Sequence, residues 1–218
     1  MFEPSPRNVG EDVLRIHRAI TRGLMMSILF LQDPENQSGF HHGFTLYLRA
    51  LSALLHAHHL GEDEIGFPFW RKKIPFAPFP NLIRDHMRMT PLLERIEIWL
   101  NTGESMQGAK SIAGIHSVLT ELNTIWLLHI QMEENVIGPA QAAARLTPEE
   151  NLQLSNQLAA HGQEHAQPGA LVIPFILYNL QPEDRMAMED VFPSIVIQQL
   201  VAVEWKPVWE PMKPFLLE

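Results

Sequence analysis

Apolar residues recur every three or four positions along four long stretches of the chain. Each stripe is interrupted by a residue that does not belong in an apolar core. The first stripe is Val13, His17, Ile20, Leu24, Ile28 and Leu31, and the second is Leu51, Leu54, His58, Glu62 and Ile65. The third is Leu82, His86, Met89, Leu93, Ile96 and Leu100, and the fourth is Val118, Leu122, Ile125, His129, Glu133 and Val136. This spacing keeps all members of a stripe on one face of an α-helix. It predicts helices over residues 11–31, 43–65, 82–100 and 106–137. Turn-forming residues separate them: Asp33-Pro34 through Ser38-Gly39, then Gly66-Phe67-Pro68, three prolines between residues 74 and 80, Asn101-Thr102-Gly103, and Gly138-Pro139.

Thr147-Pro148-Glu149-Glu150 has the form of a helix start, with a capping threonine, proline at the first helical position and acids behind it. A fifth helix should therefore run to about residue 166. From Pro168 onward seven prolines cut the chain, which predicts short helices separated by bends. No alternating pattern marks a strand, and no repeat or low-complexity segment is present. The fold class is accordingly all-α. Residues 11–140 should hold the four long helices, and residues 147–218 the fifth helix and a Pro-rich helical extension packing on them.

Composition narrows the setting. The chain has 218 residues, 46% of them hydrophobic and 19% charged, enough to bury a core. No apolar run approaches the ~20 residues that span a bilayer, so no membrane partner is expected. The first six residues lack the basic start and apolar run of a signal peptide. Cysteine is absent, which excludes disulfides, thiolate metal sites and cysteine nucleophiles, and a cytoplasmic location is expected. A net charge of −9 argues against nucleic acid as a partner.

The chemistry lies in the interruptions. His58 and Glu62, like His129 and Glu133, are four residues apart and leave one helix face one turn apart. The four stripes together bring four histidines and two glutamates inward. Burying an unpaired carboxylate costs several kcal/mol or forces it to take up a proton. A pair of divalent cations held between facing helices would offset that cost. His17, His58, Glu62, His86, His129 and Glu133 are therefore the candidate metal ligands. Without cysteine such a set suits iron, manganese or zinc, and two carboxylates able to bridge favour a dinuclear centre. No Glu-x-x-His of the ferritin-like kind precedes these histidines, and the absence of His-Glu-x-x-His argues against a zincin-type protease.

The other histidines fit the same pattern less well. His59 pairs with Asp63 at the same spacing, but its stripe includes Ser52 and Gly66, so His58 and Glu62 are preferred. His116 shares a polar face with Thr120 and Asn123, His41 and His42 border a loop, and His56 is off the stripe. Glu64 and Glu134 read as solvated acids or as hydrogen-bond partners of the ligands. His161 and His165 continue the stripe of Leu154 and Leu158 and are expected to face inward, as hydrogen-bonded core histidines or as an additional metal ligand.

The ordered set of His17, His58-His59-Leu60-Gly61-Glu62-Asp63-Glu64-Ile65-Gly66-Phe67-Pro68, Asp85-His86 and His129-Ile130-Gln131-Met132-Glu133-Glu134 resembles the cation-binding domain of the hemerythrin family, over residues 13–139. The resemblance implies an antiparallel up-down-up-down four-helix bundle around a non-haem centre of two iron ions. Glu62 and Glu133 would bridge the irons, and His17, His58, His86 and His129 would cap them. An open position would take O₂ or a related small molecule, peroxide or nitric oxide. The implied roles are oxygen or iron sensing, storage or detoxification; an enzyme of this kind would be an oxidoreductase acting on peroxide or nitric oxide. No separate catalytic acid, base or nucleophile is identified. One departure stands out. Oxygen-carrying hemerythrins usually place two histidines four apart on the third helix, whereas Leu82 and Thr90 flank His86 here. One imidazole is thus missing, which speaks against reversible O₂ carriage, and His161 or His165 could replace it. Two other readings remain: a mononuclear zinc or nickel hydrolase on a His-rich bundle, and a metal-free interaction module built on the tail. Trp205, Trp209 and Met212, interleaved with Pro207, Pro211 and Pro214, should pack on the core, covering one end of the bundle or forming a homodimer interface.

Overall fold

A computed structural model describes residues 8–33, 35–36, 41–102 and 109–217, with the side chains of 109 and 110 excepted. Helix α1 (Val9–Gln32) begins where the Asn8 side chain accepts a hydrogen bond from the Gly10 N–H at 2.9 Å, and Glu11 and Asp12 face the positive end of its dipole. Helix α2 (His42–Gly61) is capped by His41, whose Nδ1 accepts from the Phe44 N–H at 3.1 Å. That exposed histidine, set aside as an ordinary surface residue, therefore has a structural task.

Gly66-Phe67-Pro68 does not end the second helix. The chain runs through a π turn (Glu62–Gly66) directly into α3 (Phe67–Lys73). The Phe67 N–H reaches back to the Glu62 carbonyl, five residues earlier, which widens the turn. Pro68 then falls in the first turn of α3, where a missing N–H costs nothing. Buried Phe67 and Trp70 hold the continuation in place.

Helix α4 (Phe79–Thr102) starts three residues before the predicted 82 and carries Pro91 on its exposed side. Helix α5 (Ala109–Ile137) ends at the expected Gly138; the predicted start at 106 lies outside the described residues. A short helix that the pattern did not reveal, α6 (Pro139–Arg145), follows immediately. It is alanine-rich and exposes much of its surface, so propensity rather than an apolar stripe marks it. Helix α7 (Pro148–His165) opens with a reciprocal cap: the Glu150 N–H donates to Thr147 Oγ1 at 3.2 Å, and the Thr147 N–H donates to Glu150 Oε2 at 3.1 Å. The tail is broken helix: α8 (Gly169–Tyr178), α9 (Pro182–Glu189), a π-helical stretch (Val196–Glu204), α10 (Lys206–Trp209) and a 3₁₀ turn (Glu210–Phe215). The protein is all-α; among the described residues there is no strand and no helix long and apolar enough to cross a membrane.

The main packing of α1, α2, α4 and α5 follows the cycle α1–α2–α4–α5–α1, and rings of α2 and α5 also meet across it. Their apolar side chains separate into two clusters. The larger holds Ile20, Leu24, Leu55, Met89, Leu122 and Trp126, and the smaller holds Val9, Phe67, Trp70, Phe79, Leu82 and Ile137. The tail folds back onto the larger one. Phe175 of α8 packs so closely that an added Cβ on Gly23 would lie 2.6 Å from its ring, and Trp209, Met212 and Phe215 are buried in the same cluster. Trp205 is partly buried against it. Leu154 of α7 joins the smaller cluster.

Candidate metal centre

The two apolar clusters meet at one polar layer, and every long helix crosses it. Along α1, His17 stands between Val9 of the smaller cluster and Ile20 of the larger; along α4, His86 stands between Leu82 and Met89. Along α2, His58, His59 and the π-turn Glu62 separate Leu55 from Phe67, and on α5 His129 and Glu133 separate Trp126 from Ile137. His129 and Glu133 have no exposed surface; His17, Glu62 and His86 have 3% or less.

The layer contains two groups of donor atoms, each confined within 4.8 Å: His17, His58, Glu62 and Glu133 in one, His59, His86 and His129 in the other. The two carboxylates link them. Glu62 places Oε1 3.2 Å from His58 Nε2 and Oε2 3.4 Å from His86 Nε2. Glu133 Oε2 lies 3.4 Å from His17 Nε2 and 3.2 Å from His129 Nε2. Each acid thus faces one imidazole of either group. Across the second group, His86 Nε2 and His129 Nε2 are 3.1 Å apart.

These separations test whether cations fit. Donors bound to one ion at ~2.1 Å and at roughly 90–110° to each other lie about 3.0–3.4 Å apart. The observed contacts fall in that interval. Hydrogen bonding accounts for the His86–His129 contact but not for the others, because His17 Nε2, His58 Nε2, His59 Nε2 and both oxygens of Glu62 and Glu133 are buried without a hydrogen-bond partner. Folded proteins seldom leave such atoms orphaned. The residues present fit a pair of metal ions.

Outer carboxylates orient two of the rings. His17 Nδ1 donates to Glu134 Oε1 at 2.9 Å, and His86 Nδ1 donates to Asp63 Oδ1 at 3.0 Å, leaving each Nε2 free for a cation. The protonation pattern shows how the layer copes with its own charge. Burial alone would lower the pKa of His17, but the Glu133 and Glu134 carboxylates outweigh it and raise the value to about 9. Burial, and then Glu133, pushes the Glu62 carboxyl well above its usual range. Burial acts on Glu133 in the same sense, yet the His17 charge and the close approach of the His129 and His17 ring nitrogens hold it well below. His58 and His59 are driven down by burial and by the neighbouring imidazoles. Protons on His17 and Glu62 thus stand where cations would balance the charge.

All six candidate ligands from the sequence, His17, His58, Glu62, His86, His129 and Glu133, are brought into this layer. His59, set aside earlier, lies there too, 6% exposed, with its ring stacked on His86 at 4.0 Å and 19°. Its stripe misled because Ser52 and Gly66 are buried. They are small because α2 is covered on several sides, by α1, α4, α7 and α8. The run of small buried residues Ala50, Ala57 and Gly61 was the available sign of that all-round burial.

His161 and His165 require correction. His165 is exposed, and His161 lies outside both groups, with Nε2 3.1 Å from the exposed Glu64 and its ring 4.2 Å from that of His165. His161 does face inward, its side chain 9% exposed beside Leu158 and Gly61, but it joins neither donor group, and beyond it the end of α7 rides on the surface. His41, His42 and His56 are exposed, and His116 is half-buried rather than solvated.

A family model, the hemerythrin HHE cation-binding domain, matches residues 9–140, a span that includes all seven donor residues and excludes His161 and His165. No curated protein and no solved structure matches the chain.

Proposed function

The chain belongs to the hemerythrin HHE cation-binding domain family, and from that premise we propose that its polar layer holds two iron ions and binds O₂, peroxide or nitric oxide there. The observation that carries this reading is the placement of Glu62 and Glu133. Each is buried and orphaned, and each faces one imidazole of both donor groups. In this reading Glu62 and Glu133, each facing both groups, would help to hold both ions, with His17 and His58 holding one and His59, His86 and His129 the other. The imidazole missing from the third helix is made good from α2, by His59, and not from α7. The group with His17 and His58 offers fewer imidazoles than the other, and the small molecule would be taken up on that side. A bound iron pair would supply one- and two-electron exchange with these molecules. The protein keeps water away from the layer, fixes the rings of His17 and His86 through Glu134 and Asp63, and balances the ions with two carboxylates.

The antiparallel up-down-up-down bundle is part of the same proposal. Several pairs of contacts support it, because partners run in opposite order along neighbouring helices. His17 meets Glu133 while Thr21 meets Trp126. His86 meets His129 while Trp99 meets Ser111. His17 meets His58 while Phe30 meets Phe44.

Elemental analysis of protein purified without added metal, with absorption spectra before and after exposure to air, tests the reading. Two irons per chain and a visible band that depends on O₂ or peroxide are the expected result. One zinc or nickel ion per chain with no such band would replace it with the mononuclear reading. Sustained consumption of peroxide or nitric oxide would make the protein an oxidoreductase, and a reversible band without turnover a carrier or sensor.

A further inference from the structure

Two aromatic residues border the polar layer without offering it a donor atom, Phe67, stacked on His86 alone, and Trp126. Trp126, on α5 three residues before His129, is fully buried. Its ring centroid lies 5.3 Å from that of His17 and 5.8 Å from His58, in the first donor group. It also lies 6.0 Å from His59 and 6.1 Å from His129, in the second. The indole therefore touches imidazoles of both groups. Its one polar atom is turned away from them, because Nε1 donates to the hydroxyl of half-buried Thr21 at 2.9 Å. Filling this space would need only an apolar ring. A buried indole also needs a partner for its N–H, and here the partner stands on α1 four residues from His17.

Indoles and phenols are the ring side chains that give up a single electron most readily. Among the described tryptophans and tyrosines, Trp126 is the one whose ring meets these imidazoles. Tyr47 packs against Phe175 and Phe215, and Tyr178 against Trp209. There is no cysteine to compete. We propose that Trp126 supplies the metal pair with single electrons; this rests on the two-iron reading above. Peroxide needs two electrons and two protons to become two molecules of water. With a single electron it yields hydroxide and a hydroxyl radical. When the pair has one electron left to give, the second comes from Trp126. Its Nε1 proton passes to the Thr21 hydroxyl, which releases its own toward solvent, and the two protons consumed by peroxide come from solvent. The neutral indolyl radical is restored by one electron and one proton from an external reductant such as ascorbate. The residue thereby spares the imidazoles from hydroxyl radical.

The test uses the full chain, loaded with iron without oxygen and then given peroxide in small successive additions. Iron content, freeze-quench electron paramagnetic resonance and mass-spectrometric mapping of oxidised residues are the readouts. Trp126 is expected to give an indolyl signal and to become the most oxidised of the five tryptophans, despite its burial. Ascorbate should suppress both. Metal-free chain should instead be oxidised first at the partly exposed Trp99 and Trp205. W126F should keep its iron while oxidation shifts to His17 and His58. T21V, which keeps the ring and removes the acceptor, should lower the radical yield and serves if W126F does not fold. Iron bound and peroxide consumed, with Trp126 unmodified and no indolyl signal, would overturn this inference and leave the metal reading standing. A chain that takes up no iron would overturn both.

Discussion

Two sets of buried polar side chains invite comparison, because one is complete in itself and the other is not. Where the tail docks, Arg22 donates to the Phe215 carbonyl at 2.6 Å, to Asn179 Oδ1 and, at 3.5 Å, to the Tyr47 hydroxyl. Tyr47 donates to Asn179 Oδ1 at 2.7 Å, and Asn179 Nδ2 donates to the Phe175 carbonyl at 2.8 Å. Donors meet acceptors, and the result ties α1, α2 and the tail together. In the polar layer, acceptors face imidazole nitrogens at similar distances without hydrogen-bond geometry. A satisfied network holds a fold together, whereas an orphaned one marks where something else must bind.

The comparison is most exposed to failure through metal. At about a hundred times the dissociation constant, a cation adds ~2.7 kcal/mol, or about 5–10 °C in Tm for a protein of this size. Calorimetry should show that rise in the parent chain and in Tyr47→Phe, and a smaller rise or none in Glu133→Gln, whose metal content should fall to one ion or none. Equal rises in all three would place the cation elsewhere.

pH sharpens the contrast. In the metal-free chain His17 has its pKa raised from 6.5 to about 9. A raised imidazole pKa stabilises the fold fully below the unfolded value, and this contribution is lost as pH climbs through about 9. The loss should amount to roughly 1–3 kcal/mol. A metal-loaded chain holds His17 unprotonated and should not show it. Tm values at pH 7 and pH 10, with and without metal, decide the matter; a metal-free chain equally stable at both would count against the His17–Glu133 coupling.

Smaller effects separate the outer acids from the inner ones. Glu134→Gln and Asp63→Asn should weaken metal binding about 10–100-fold in a competition titration while keeping the stoichiometry. Unchanged affinity would show that these acids do not orient the rings.

The last contrast is one of sign. Without metal, Glu62→Met should leave the chain as stable as the parent or more stable by ~1–2 kcal/mol, since it removes an acid buried beside another acid. Tyr47→Phe should cost ~1 kcal/mol, or about 2–4 °C. If both substitutions lowered stability alike, the polar layer would be as self-sufficient as the tail anchor.

Much of this was legible before any coordinates. A helix with one buried face must repeat near 3.6 residues, so His17, His58, His86 and His129 betrayed themselves by interrupting an apolar stripe. The same logic fails for a helix covered all round, where Ser52 and Gly66 are small for packing and not for solvent, and so His59 was passed over. It overreaches for α7, whose stripe runs inward through Leu154, Leu158 and His161 but surfaces at His165. Gly66-Phe67-Pro68 carries the letters of a helix stop. What overrides them is long-range: the burial of Phe67 and Trp70 against residues far along the chain.

The π turn holds one residue more than an ordinary helical turn, because its hydrogen bond spans five residues and not four. The surplus is absorbed as a local bulge, so the helix keeps its facing on either side and Phe67 and Trp70 stay turned toward the smaller cluster. A homologue whose alignment shows a one-residue gap in those five positions should therefore be expected to close an ordinary turn there, with the change felt at Glu62 and not further along the helix.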